Sequence, residues 1–322
     1  MIFSLPFHIT RYFRPTVLEV FSLSNAQLGD IFAIYGVVAM LAYFPGGALA
    51  DRFSAKNLIT VSLLITAAGG VLFANISDAK WLIWLYGFWG LTTILLFWAA
   101  LIKATRDWGG VEKQGIAFGI MDGGRGLVSA VVASMAVAVF AYYMPSDNIT
   151  PQARLHAIQM VIYFYSAVTA LAAVLIYWKL PMDHNQQTAS EPLLNGVALV
   201  LKQKTILLQA VIVICAYCGY KGVDNYSLYA VKVMQFNEVD AAFFSSIIAY
   251  SRPFAAIFAG LLADRFKAST TIVFSFTMLA AGYLVQSFIS PVDSISLLVY
   301  CNLVVTLIAV YGIRGIYFAL VQ

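Results

Sequence analysis

The sequence predicts an all-α membrane protein of about nine full spans plus a partial first helix, arranged as two like-oriented bundles. Three observations carry this: an apolar composition, apolar runs of membrane length, and a segment that occurs twice. Hydrophobic residues make up 61% of the 322 residues and charged residues 11%, with a mean hydropathy of +0.85. Soluble domains carry roughly twice that share of charge. So few charges do not cover a water-facing surface, so apolar side chains must face lipid as well as each other.

A helix needs about 20 mainly apolar residues to cross roughly 30 Å of hydrocarbon. Runs of that length occupy 28–50, 57–76, 80–102, 115–144, 156–179, 205–231, 239–263, 269–290 and 294–320. They are continuous rather than built from short alternating strands, which excludes a transmembrane barrel. The stretch 1–13 is shorter than a span. Its arginines, Arg11 and Arg14, follow the apolar run instead of preceding it, and no small-residue cleavage site is evident. It reads as the outer half of a first helix whose beginning lies elsewhere.

The basic residues set the expected orientation. Ten (Arg52, Lys56, Lys103, Arg106, Lys113, Lys179, Lys202, Lys204, Arg265 and Lys267) fall on one side of the spans. Five (Arg11, Arg14, Lys80, Arg154 and Lys232) fall on the other. By the positive-inside rule the first set is cytoplasmic, which places loops 51–56, 103–114, 180–204 and 264–269 there. Arg125, Lys221, Arg252 and Arg314 remain inside or at the ends of spans.

The chain also repeats itself. Gly47-Ala-Leu-Ala-Asp51-Arg52-Phe53 matches Gly260-Leu-Leu-Ala-Asp264-Arg265-Phe266, 213 residues later, and the register continues through Ala55/Ala268, Ser62/Ser275 and Gly69/Gly282. Both copies fall on the same side of the membrane, as parallel repeats require. The expected division is an N-terminal bundle over 1–180, a cytoplasmic linker over 181–204 and a C-terminal bundle over 205–322. The linker is the one long polar stretch, with Asp183, His184, Asn185, Gln186, Gln187 and Glu191.

At these residues the sequence resembles the major facilitator superfamily, whose loop between helices two and three carries G-x-L-a-D-r-x-G-r-k. Ser54 and Ala55 stand where that pattern has glycine and arginine. Lys103-Ala-Thr-Arg106-Asp107-Trp108, Gly123-Gly124-Arg125-Gly126-Leu127 and Arg314-Gly-Ile-Tyr-Phe318 are similar to a bacterial branch near the sugar-phosphate and nitrate/nitrite permeases. The resemblance implies the major facilitator fold, alternating access, no enzymatic activity and a place in the bacterial inner membrane. It also implies that helix one is incomplete, that helices eleven and twelve are absent, and that Asp51, Arg52, Asp264 and Arg265 latch one side of the transporter. Asp51 sits at the unfavourable negative end of its helix, and Arg106 is the candidate cation to relieve it.

Charges within spans point to the cargo, because each costs about 2.5–3.5 kcal/mol at mid-bilayer on insertion scales. Asp122 and Arg125 share a helix face, as do Tyr217, Lys221 and Asp224, while Arg252 precedes Pro253. Two readings stand: self-neutralising pairs that hold helices together, or a central cavity in which Arg125, Lys221, Arg252 and Tyr217 bind an anion. Arginine suits phosphate and carboxylate because its planar fork donates two parallel hydrogen bonds. Asp224, then Asp122, are the candidates for proton coupling, since burial disfavours their charge while a neighbouring cation favours it.

The expected function is secondary transport of a small organic anion, by proton coupling or exchange. The alternatives are export of amphipathic or cationic compounds, a membrane receptor that binds without moving its ligand, and a truncated remnant. No Walker-A loop indicates ATP use, no cofactor or nucleic-acid partner is implied, and a monomer in the bilayer is expected. Cys215 and Cys218 form a C-x-x-C without further metal ligands nearby and read as packing residues. Asn75 and Asn148 begin glycosylation sequons, a pattern too short to carry weight. Trp89 and Trp98 are set for core packing or for stacking on a substrate.

Overall fold

The structure, a computed structural model, describes residues 5–110, 114–145, 149–181, 203–252, 254–255, 265, 268–289 and 297–316. Every regular element among them is helical. The chain divides into two compact units, Met1–Glu191 and Pro192–Gln322. The polar stretch 182–202 lies outside the described residues.

Unit 1 starts with a 3-10 helix at Pro6–Arg11, followed by α1 (Arg14–Val20). Over its described part, 5–13, the expected first-helix remnant is therefore a 3-10 helix and a break. Pro15 has no backbone N–H to carry a helix across this point, so the chain restarts with proline in the first turn. The segment is a wedge rather than a surface strand. Leu5, Phe7, Ile9, Tyr12 and Phe13 are all buried.

A capping box opens α2 (Asn25–Arg52): Ser24 Oγ accepts from Gln27 N–H, and Gln27 Oε1 accepts from Ser24 N–H. Two residues link it to α3 (Ala55–Asn75). A continuous helical rod then runs from Lys80 to Gly109, as α4 (Lys80–Gly90), a π-helical stretch (Leu91–Trp98) and α5 (Ala99–Gly109). It exceeds the predicted 80–102 by about two turns and stops at Gly110, whose φ of +57° favours glycine. Helices α6 (Gln114–Tyr143) and α7 (Pro151–Lys179) complete the unit, with Thr150 capping α7 through Ala153 N–H.

Helix α3 is the centre of unit 1. It packs against α7 and the Lys80–Gly109 rod, and 61% of its membrane-length stretch is buried, against 22% for α2. At Gly70 there is no room for a Cβ, which would meet Ser166 Oγ of α7 and Pro6 Cγ of the wedge. The outward faces are apolar, as with Met40, Leu41 and Phe44 on α2.

Unit 2 opens with α8 (Lys204–Gly222), a single 3-10 turn (Val223–Asn225) and α9 (Tyr226–Lys232). Asn237 caps α10 (Glu238–Ala249) through Asp240 N–H, and Ser251 and Arg252 continue as helix. Most of the predicted span 239–263 beyond that lies outside the described residues. Helices α11 (Ala268–Phe288) and α12 (Leu297–Ile316) pack antiparallel.

The 213-residue register reappears in the helices. Ala55–Asn75 maps end to end onto Ala268–Phe288, Asn25 onto Glu238, and the cap Ser24 onto the cap Asn237. Among the described residues, seven helices are long and apolar enough to cross a membrane. This is an integral, multi-pass helical membrane protein.

Candidate functional site

In each unit a buried arginine is bedded on an aromatic ring. In unit 1, Arg125 of α6 is 9% exposed, and its Cζ lies 5.4 Å from the centre of the Trp98 ring. In unit 2, Arg252 is also 9% exposed, with its Cζ 5.9 Å from the Tyr311 ring centre. Cation–π attraction of this kind strengthens as water is excluded. Trp98 and Tyr311 stand 213 residues apart, so the repeat supplies the aromatic platform twice. The arginines come from helices that are not repeat partners.

The platform in unit 1 belongs to an unusual backbone. Pro45 interrupts the hydrogen bonding of α2, and a Cβ on Gly46 would stand 3.2 Å from Leu95 O and 3.3 Å from Ile94 O. Glycine thus lets α2 lie directly against the π-helical stretch. Hydroxyls serve the looser ladder: Ser62 Oγ donates to Thr92 O at 2.6 Å, Thr66 and Thr92 share a hydrogen bond at 2.9 Å, and so do Tyr35 and Thr93 at 3.0 Å. π-Helical turns concentrate at functional sites.

At the repeated motif, Asp51 and Arg52 are exposed at the end of α2. The expected partnership of Asp51 with Arg106 is not formed; among the described residues no ion pair involves Asp51. Lys103, one turn before Arg106, occupies this place. Its Nζ donates to Ala50 O at 2.9 Å while the side chain is buried. A cation on the last carbonyls offsets the negative helix end more directly than a pairing with Asp51 would. In the second copy Arg265 is helical and exposed, whereas Asp264 lies outside the described residues.

In unit 2, Lys221 Nζ and Asp224 Oδ2 form an ion pair at 2.9 Å, with side chains 45% and 10% exposed. The 3-10 turn at Val223–Asn225 sets the pair where α8 gives way to α9. Tyr217 is exposed, with its ring edge-on to Tyr220 at 5.9 Å. Tyr283 Oη donates to Gly219 O at 2.7 Å and occupies the space that a Cβ on Gly222 would need. Gln286 Nε2 lies 3.3 Å from both Tyr226 Oη and Thr306 Oγ1.

The structure therefore joins Lys221 to Asp224, and sets Arg125 and Arg252 each in its own unit. The side chains of Asp122 and Arg314 fall outside the described residues. Trp89 is fully buried and donates to Thr66 O, a core residue, whereas Trp98 is the arginine platform. Sequence reasoning passed over Lys103, Tyr283, Gln286 and Tyr311. The repeat register was the available signal for Tyr311, since it falls 213 residues after Trp98. Asn75 of the first sequon donates to Tyr163 Oη and Val71 O, while Asn148 lies outside the described residues. Cys215, Cys218 and Cys301 are free thiols.

Membrane-length helices, a doubled scaffold and buried arginines define a polytopic membrane protein built on an internal repeat. The family model of the Major Facilitator Superfamily matches residues 1–322, and the chain belongs to that family. It is 27% identical over 233 residues to the inner membrane protein YqcE of Escherichia coli K12, covering 71% of this chain and 51% of YqcE. It is 27% identical over 227 residues to the inner membrane protein YihN of the same organism, covering 69% and 52%. The chain thus spans about half the length of these curated relatives. It is also 26% identical over 179 residues to the multidrug resistance protein MdtH of Proteus mirabilis, covering 53% and 39%. A bacterial homologue of the human lysosomal transporter Spinster, inward-facing and unoccupied, superposes with a TM-score of 0.70 at 17% identity, over 99% of this chain and 72% of that one. The nucleoside transporter NupG (D323A) gives 0.70 at 14% identity, over 99% and 79%. These structures share the fold.

Proposed function

We propose that this chain belongs to a secondary transporter that carries a small organic anion by alternating access, through proton coupling or exchange. The single observation behind the anion is the pair of buried arginines, each bedded on an aromatic ring, with the two rings at repeat-equivalent positions. A ring face orients a guanidinium, whose planar N–H fork matches the geometry of a carboxylate or phosphate. Lys221 carries less of this reading, since Asp224 balances its charge. The same pair makes Asp224 the first candidate for proton coupling, because protonating it would break the ion pair. Loops 51–56, 103–114, 180–204 and 264–269 face the cytoplasm in this proposal, and the protein acts as a monomer in a bacterial inner membrane.

The test is uptake of labelled organic phosphates and carboxylates into proteoliposomes containing the full-length protein. Arg125→Ala and Arg252→Ala each lower uptake by roughly thirtyfold or more, the effect of losing a charge-assisted hydrogen bond worth about 2 kcal/mol. Unchanged uptake in both variants removes the anion reading. A second reading, export of amphipathic or cationic compounds, is favoured by the similarity to MdtH, named for multidrug resistance. It predicts that a lipophilic cation is moved and that Asp224→Asn stops this while Arg252→Ala does not.

A further inference from the structure

Each repeat breaks its leading helix at the same register, and the two breaks are made in different ways. The 213-residue offset carries the 3-10 turn Val223–Asn225 onto residues 10–12, over the end of the 3-10 helix Pro6–Arg11. Proline fixes the break in unit 1: Pro6 begins that 3-10 helix and Pro15 begins α1. Unit 2 has no proline between Lys204 and Lys232, a stretch apolar and long enough for one span. Its break rests on a partner from another helix.

That partner is Tyr283 of α11. In a continuous α-helix Gly219 O would accept from Val223 N–H, four residues on. Here Val223 N–H turns to Tyr220 O and Lys221 O, and Tyr283 Oη donates to Gly219 O at 2.7 Å in its place. A side chain entering the backbone ladder is one of the few causes of a sharp kink. Two glycines admit it. A Cβ on Gly222 would collide with the Tyr283 hydroxyl, and one on Gly219 with Leu279, one turn earlier on α11. Unit 1 inverts this contact: Pro6 stands at the register of Gly219 and Gly70 at that of Tyr283.

The break also sets the Lys221–Asp224 pair. Residues three apart eclipse in a 3-10 turn, whereas in an α-helix they stand about 60° apart. In the broken helix the two side chains meet at 2.9 Å. Tyr283 lies within electrostatic reach of Asp224, Tyr226 and Tyr311. The charged and titratable groups around the turn are thus Lys221 of α8, Tyr226 of α9, Tyr283 of α11 and Tyr311 of α12, with Arg252 over the Tyr311 ring.

Resting on the reading of Asp224 as the proton-coupling group, we propose that Tyr283 is its positioning residue. The hydroxyl holds the break open at Gly219 and so keeps the Asp224 carboxylate against Lys221. A hydrogen bond is reversible where a proline is not. When Tyr283 leaves Gly219 O, Val223 N–H takes its place, the turn closes to α-helix and Asp224 rotates off Lys221.

Two measurements on the full-length protein in lipid nanodiscs test this. In infrared difference spectra taken on acidification, the carboxyl band that is missing from Asp224→Asn reports protonation of Asp224. Nitroxide labels at Leu208→Cys and Lys232→Cys, both exposed positions, report the distance across the break once Cys215, Cys218 and Cys301 are replaced by serine. Tyr283→Phe keeps the ring and removes only the hydroxyl. It is expected to let Asp224 protonate at about tenfold lower proton concentration, as a carboxylate does when it loses an adjacent cation. It also adds a second population to the label distances. Gly222→Ala, whose methyl displaces the hydroxyl, acts in the same sense and carries the test if Tyr283→Phe does not fold. An unchanged distance distribution overturns the proposal, and so does an unchanged Asp224 titration. If Asp224→Asn loses no band, the coupling reading alone fails, and the label distances still decide whether Tyr283 holds the break.

Discussion

The two units carry one helical scaffold but fill it with different chemistry. In unit 1 the Trp89 ring packs edge-on against Phe73 at 5.7 Å and tilted against Phe7 at 5.8 Å, and its indole N–H is satisfied by Thr66 O. At the matching level of unit 2, Gln286, Asn302, Thr306 and Tyr226 form a polar patch with an acceptor to spare. The ends of Ala55–Asn75 and Ala268–Phe288, the caps Ser24 and Asn237 and the glycines Gly69 and Gly282 are shared, whereas Phe73 and Trp89 give way to Gln286 and Asn302. Scaffold and interior side chains thus vary independently along the same register: unit 1 fills this level with rings, unit 2 with hydrogen-bonding groups.

The largest expected effect comes from opening the aromatic side. Trp89→Ala removes a fully buried indole and costs about 3–5 kcal/mol, read from denaturant unfolding in detergent micelles. If Asn302→Ala cost as much, the polar patch would be structural and the contrast would fail. Next is the C-terminal end of α2, where unit 1 has Lys103 and the register position in unit 2 is Ile316. Lys103→Met leaves the Ala50 carbonyl without its donor and costs about 1.5–3 kcal/mol. Arg106→Ala, in the same measurement, changes stability by less than about 0.5 kcal/mol if Lys103 is the cap.

Smaller still is Gln286→Leu, expected within about 1 kcal/mol because two long hydrogen bonds are exchanged for an apolar side chain of similar size. A loss of several kcal/mol would show that unit 2 depends on its polar patch as unit 1 depends on its rings. Least of all is Glu19→Gln. The Arg154–Glu19 pair, at 2.8 Å, has its carboxylate 59% exposed, so its loss shifts stability by under about 1 kcal/mol and less at high salt.

Much of the architecture was legible from residues alone, because lipid leaves few choices. Runs of apolar residues must be helices, as no water is present to serve an open backbone, and the segments 57–76 and 156–179 therefore reappear as α3 and α7. The matching Ala-Asp-Arg-Phe segments set the 213-residue register, and that register extends to the helix caps Ser24 and Asn237, which the motif itself does not reach. Interior partners were legible only locally. Lys221 and Asp224 lie three apart on one chain segment, so their pairing followed from helical spacing.

The sequence by itself determined the membrane class and the doubled scaffold, both consequences of composition and period. Tertiary structure alone decided that Lys103 rather than Arg106 serves the end of α2, that Trp98 and Tyr311 bed the two arginines, and that Asn302 keeps an acceptor unused. These partners sit on different helices, far apart in sequence. Which of several nearby cations or rings is met depends on crossing geometry and on glycines such as Gly46 and Gly282 that let two helices approach, and no local pattern encodes it.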